Sequence, residues 1–213
     1  MSLDEQLIIS IDDFDEQLKQ CFIAIISKWN REKIQQFEDY FGDSFKDYFS
    51  KHSQEQRTAQ KTKLISPAFT NELNKCLKEN LGGEFNITQK DGEDIQVLIN
   101  DEWTSFEQKI TTQPESSRGG YWTGNHVSNK VNRHILMRLI FSETGEITNF
   151  FLGILLLQDC ETTKWKKAGG NRANLAIKAT DAKHLKVLIG KSEPTSKRSD
   201  ALLKYVYVDD EEE

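Results

Sequence analysis

The chain has 213 residues, is 37% hydrophobic and 29% charged, and carries a net charge of −6. That length suffices to bury a real core in one medium domain, and the supply of aromatic and β-branched residues argues against disorder. The longest apolar run, 150–157, is broken by Gly153 and is too short to cross a membrane, and the opening Met-Ser-Leu-Asp-Glu has neither the basic nor the apolar region of a secretion signal.

The first part of the chain reads as helical. Phe14, Leu18, Cys21, Phe22, Ile25, Ile26 and Trp29 recur at helical spacing, and Ile34, Phe37, Phe41, Phe45, Tyr48 and Phe49 form a second such stripe. The stretch 51–63 is polar and aperiodic and reads as a loop or a frayed helix end. A third helix is expected from Ser66 as cap and Pro67 in the first turn, with Phe69, Leu73, Cys76, Leu77 and Leu81 on its buried face and Gly82-Gly83 ending it.

Beyond Gly83 the apolar period changes to that of strands. Candidates are 84–89, 95–99 and 103–110, the last two joined by a turn at Asn100-Asp101. A polar loop with Pro114, Gly119 and Gly120 follows. Segments 134–142 and 148–158 read as a long antiparallel hairpin turning at Thr144-Gly145, and shorter strands are expected at 174–179, 185–189 and 203–208. Helices first and a mixed, mainly antiparallel sheet afterwards make an α+β pattern. The division expected is a helical region over 1–65, whose aromatic stripes suit packed core or a dimer interface, and a core over 66–213.

Charge is unevenly spread. Between Lys164 and Arg198 ten Lys or Arg residues face only Asp181 and Glu193, whereas acidic residues crowd the N-terminal third and the tail from Asp209. Local sign decides where a polyanion docks. Cys21, Cys76 and Cys160 have no zinc or disulfide spacing and read as buried thiols in a reducing cytoplasm. His126, His134 and His184 are scattered and read as surface or packing residues.

The segment from Lys90 to Lys109 carries the chemistry. Asp94 directly precedes the apolar strand, and the next strand ends in Glu107-Gln108-Lys109. Alternation puts Glu107 and Lys109 on one face and Gln108 on the other, while hairpin pairing brings Asp94 beside Glu107. Two carboxylates suit Mg²⁺, with Mn²⁺ as a substitute, and the Gln108 backbone carbonyl offers another oxygen ligand. Such an ion acidifies a water and offsets charge on a phosphate, while Lys109 holds the water and stabilises the transition state. Asp91 competes with Asp94 for the first position.

Asp94, twelve intervening residues and then Glu107-x-Lys109 resembles the signature of the PD-(D/E)xK nuclease superfamily, in the layout of type II restriction endonucleases. The resemblance covers roughly 66–158; it departs from the pattern in having Glu93, not proline, before the acid. It implies a restriction-endonuclease-like core, metal ligands at Asp94 and Glu107, a catalytic Lys109, and double-stranded DNA cut by a cytoplasmic homodimer. The family often adds a helical glutamate, for which Glu72 and Glu79 are candidates. Asn125, Lys130 and Arg133, then Lys164, Lys166, Lys167, Asn171 and Arg172, are the residues expected to grip DNA, through phosphate contacts and base edges. Competing readings are a repair or defence nuclease of the same superfamily and a non-catalytic nucleic-acid-binding protein.

Overall fold

The computed structural model describes residues 9–30, 54–90, 93–111, 121–124, 133–141, 146–156, 166–168, 172–176, 179–194 and 203–206. Helix α1 (Ile11–Lys28) starts on a capping box: the Ser10 hydroxyl accepts from the Asp13 N–H at 3.1 Å, and the Asp13 carboxylate accepts from the Ser10 N–H at 3.0 Å. Two donors that a helix start leaves unpaired are thereby satisfied. Its stripe of Phe14, Leu18, Cys21, Phe22, Ile25 and Ile26 is buried within the chain. Phe14 stacks on Phe106 at 4.8 Å between ring centroids, and Phe22 meets Phe69 at 5.5 Å. Each such side chain contributes about 1.5–3 kcal/mol by leaving water. Of the two roles expected, core and dimer interface, this stripe takes the first; the second aromatic segment, 34–49, lies outside the described residues.

Helix α2 runs Gln54–Leu81, with Pro67 inside it. The expected loop at 51–63 and the expected start at Ser66 are corrected from residue 54 onward. Gln, Glu, Arg, Ala and Lys over 54–63 are good helix formers. They lack an apolar stripe, so periodicity is silent there. The helix passes through 65–66, where the sequence suggests a division. Gly82, at φ +57°, takes the left-handed conformation that ends it.

The main sheet has six strands in the order β1 (Phe85–Lys90), β2 (Glu93–Ile99), β3 (Glu102–Thr111), β5 (Arg133–Phe141), β6 (Ile147–Leu156), β9 (Leu185–Ile189). All neighbours are antiparallel except β3 and β5, which are parallel. Among the described residues, two helices followed by this mixed sheet make an α+β fold. Two smaller sheets, β4 (Tyr121–Gly124) with β8 (Arg172–Ala176) and β7 (Lys166–Ala168), and β10 (Lys191–Pro194) with β11 (Leu203–Val206), complete it. β4, β7 and β10 have only three or four residues each, too few for an alternation to read. No described helix is long and apolar enough to cross a membrane.

The helices cover one face of the sheet. Ile95, Val97, Ile99, Phe106, Ile135, Met137 and Leu139 join the helical side chains in one core. Asn30 pins the end of α1 to β6: its Nδ2 donates to the Ile147 carbonyl at 2.9 Å and its Oδ1 accepts from the Ile147 N–H at 2.8 Å. The opposite face holds Glu107, Lys109, His134, Leu136 and Arg138 by strand alternation. It too is covered: Glu107, His134, Leu136 and Arg138 are all buried. β4 contacts β3, so the small β4–β8–β7 sheet sits against the strand that carries Glu107.

Candidate active site

The β2–β3 hairpin sets the site. Asn100 and Asp101 have φ of 50° and 65°, a two-residue turn between Ile99 and Glu102 that are paired in register. Two consecutive left-handed residues suit the right-handed twist of a hairpin, and Asn and Asp tolerate that conformation best after glycine. The ladder runs to Ile95 opposite Phe106, and continuing its register by one residue sets Asp94 level with Glu107. The Gln108 N–H donates to Asp94 Oδ2 at 2.6 Å, which holds the carboxylate against the end of β3.

Glu107 is 2% exposed, and a nitrogen approaches each of its oxygens. Lys109 Nζ contacts Oε1, and His134 Nε2 lies 2.8 Å from Oε2. Lys109 shares the face of Glu107 two residues along, and His134 is the residue directly beside Glu107 on the parallel strand β5. Burial pushes the Glu107 carboxyl up, but the hydrogen bonds and charges of His134 and Lys109 outweigh it and hold the net value below that of an ordinary glutamate. Asp94 goes the other way. Burial raises it, and the Gln108 N–H and the Lys109 charge offset that only in part, with Glu107 adding repulsion. Two facing carboxylates are thus driven apart in acidity by their surroundings, an arrangement enriched at functional sites.

The expected trio therefore converges: Asp94 faces Glu107 across the ladder and Lys109 contacts Glu107. Gln108 enters by its backbone to Asp94 and by its side chain to α2, where Nε2 donates to Asn74 Oδ1 at 2.8 Å. Neither helical glutamate candidate takes that place. Glu72 pairs with Lys28 at 3.5 Å, and Glu79 with Lys75 at 4.0 Å on the exposed side. Asn74, buried on the sheet-facing side of the helix, is the α2 residue that reaches the site. Asp91 lies outside the described residues.

Sequence reasoning missed His134. It is fully buried, as a packing histidine would be, but it is not a surface residue and its partner is the central carboxylate. A single fact would have found it, the parallel pairing of β3 with β5, and no local pattern encodes that. Arg138, also buried and on the same face, is the row-partner of Thr111.

Of the expected DNA-contacting residues, Arg133 opens β5 next to His134, Lys166 and Lys167 lie on β7, and Arg172 opens β8. The last three are therefore carried on the small sheet whose β4 contacts the Glu107 strand. Asn125, Lys130, Lys164 and Asn171 lie outside the described residues. Two carboxylates with the Gln108 carbonyl match the hard-oxygen donor set that Mg²⁺ prefers. Among the described residues no group of three or more His, Cys, Asp and Glu side chains is arranged as a metal cluster. At Glu107 the ammonium of Lys109 already neutralises the oxygen that a cation would take. Compared with known proteins, the chain matches no family model, no curated protein and no solved structure.

Proposed function

We propose that the chain is a divalent-metal-dependent nuclease of double-stranded DNA, acting as a type II restriction endonuclease does and as a homodimer in the cytoplasm. The observation that carries this reading is the facing pair Asp94 and Glu107 with Lys109 against Glu107, in the order and spacing that resemble the PD-(D/E)xK pattern. Asp94 and Glu107 would hold Mg²⁺ or Mn²⁺, with the Gln108 carbonyl as a third donor. When bound, the ion supplies positive charge at the phosphate and a more acidic water.

The protein's own groups do the rest. The Gln108 N–H fixes the Asp94 carboxylate, and His134 fixes Glu107 through Oε2, leaving Oε1 to change partners. Lys109, beside Glu107, would hold the attacking water and stabilise negative charge on the phosphate. The basic residues of β7 and β8 supply counter-charge for the DNA backbone, and binding that rests on them falls with salt.

The test is incubation of the pure protein with plasmid DNA and Mg²⁺. Discrete fragments that disappear with chelator and in Lys109→Ala support the proposal. Intact DNA under all conditions, with folded protein, refutes it. Smeared or structure-selective cutting moves the reading to a repair or defence nuclease.

One observation favours a different class. Glu107 at 2% exposure, closed between Lys109 and His134, is also what a purely structural ion-pair network joining β3 to β5 looks like. The chain would then bind nucleic acid through its basic segment without cutting it, and replacing Asp94 would leave that binding unchanged.

A further inference from the structure

We propose that Cys21 and Cys76 form a redox-closable site, a disulfide clasp that an oxidant of the peroxide or glutathione-disulfide class closes between α1 and α2. The two residues are far apart in sequence, which is why their spacing suggests no bridge. The helix pairing brings them together: their Sγ atoms are 2.6 Å apart, against about 2.05 Å in a disulfide. Both are free thiols in this structure. The helices are already held face to face beside them by the Phe22–Phe69 ring contact. Closure therefore asks for a small movement of two sulfurs and not a rearrangement of helices.

The surroundings divide the roles. Cys21 is 1% exposed, and Asn80 Nδ2 donates to its Sγ at 3.2 Å. Burial, with the neighbouring Cys76, pushes the Cys21 thiol up to about 12, so it stays protonated and inert toward oxidant by itself. Cys76 is only partly buried and is the more accessible residue of the two. With hydrogen peroxide the Cys76 sulfur attacks one peroxide oxygen, the O–O bond breaks, and Cys76–SOH and water result. The Cys21 sulfur then attacks Cys76 Sγ; the S–S bond forms, the S–O bond breaks, and the hydroxyl leaves as a second water with the Cys21 proton. Two thiols are oxidised by two electrons and one peroxide is reduced. With glutathione disulfide the same bond forms by exchange, releasing two glutathione thiols.

The consequence is mechanical. The bond closes a long loop and removes freedom from the unfolded chain. It also fastens the helix that carries Asn74, the residue that holds Gln108. The proposal does not depend on the nuclease reading, since it concerns the helical layer alone.

The experiment treats the full chain with a modest excess of hydrogen peroxide, and separately with oxidised glutathione, followed by non-reducing digestion and mass spectrometry. The expected product is one peptide pair joined through Cys21 and Cys76, lost on reduction, in wild type and in Cys160→Ser alike. Oxidation should also raise the melting temperature by roughly 10 °C, reversibly, and not in Cys76→Ser. Recovery of Cys21 and Cys76 both alkylatable after oxidation would overturn the proposal, as would bridges to Cys160 or a lasting glutathione adduct on Cys76. The peptide map on wild type and Cys160→Ser decides the matter even if Cys76→Ser does not fold.

Discussion

Replacing Glu107 by Gln keeps the shape of the side chain and removes its charge. Lys109 and His134 then lose the carboxylate that both address, in a site where Glu107 is 2% exposed and the Lys109 side chain 13%. Breaking a buried ion pair by removing one partner costs about 3–5 kcal/mol. Lys109 retains some access to water, which places the expected loss near the lower end, about 3 kcal/mol, or a fall of about 6–12 °C in melting temperature for a chain of this size. The pH dependence has a definite sign. Glu107 sits below its ordinary value, so its stabilisation is complete above the unfolded glutamate range and is lost as pH falls through the lowered folded value. Thermal melts of wild type and Glu107→Gln, followed by circular dichroism, should therefore differ most near neutrality and converge in acid. A variant as stable as wild type at neutral pH, or a gap that widens in acid, would refute the reasoning.

Asp94→Asn should do the opposite. Burial raises the Asp94 carboxyl, so keeping it ionised costs stability as pH climbs past the ordinary aspartate range. The variant should melt higher than wild type at neutral pH, with the advantage fading in acid, while DNA cleavage is lost. Asn74→Ala removes the acceptor of the half-buried Gln108 Nε2, at a cost of about 1 kcal/mol measurable by urea unfolding. In Gly153→Ala the new methyl would meet Phe151 Cζ at 3.0 Å and the Lys186 carbonyl at 3.1 Å. The second contact is backbone and cannot swing away, so a loss of about 1–3 kcal/mol in the same assay is expected.

The site was legible where local rules govern it. A two-residue turn at Asn100-Asp101 converts sequence distance into register, so Asp94 opposite Glu107 and Lys109 beside it follow by counting. His134 was not legible, because it arrives on a parallel strand whose pairing with β3 depends on the whole fold. The first half of α2 was missed for a different reason: helix-forming polar residues without an apolar stripe look like loop to any periodicity argument. The α1 stripe announces a helix with one apolar face, but a pattern does not show which surface covers that face; of core and subunit interface, the structure shows core. Asn74 could have been suspected as a polar residue between Leu73 and Leu77, although only the structure shows that it answers Gln108.

In the proposed function Asp94 and Glu107 share a divalent cation beside Lys109. Titration of the protein with Mn²⁺, read by the electron paramagnetic resonance of the free ion, tests it most directly. The account predicts Mn²⁺ bound by wild type and by Lys109→Met, with binding lost in both Asp94→Asn and Glu107→Gln. No uptake by folded wild type, or uptake undisturbed by those two carboxylate substitutions, would contradict it.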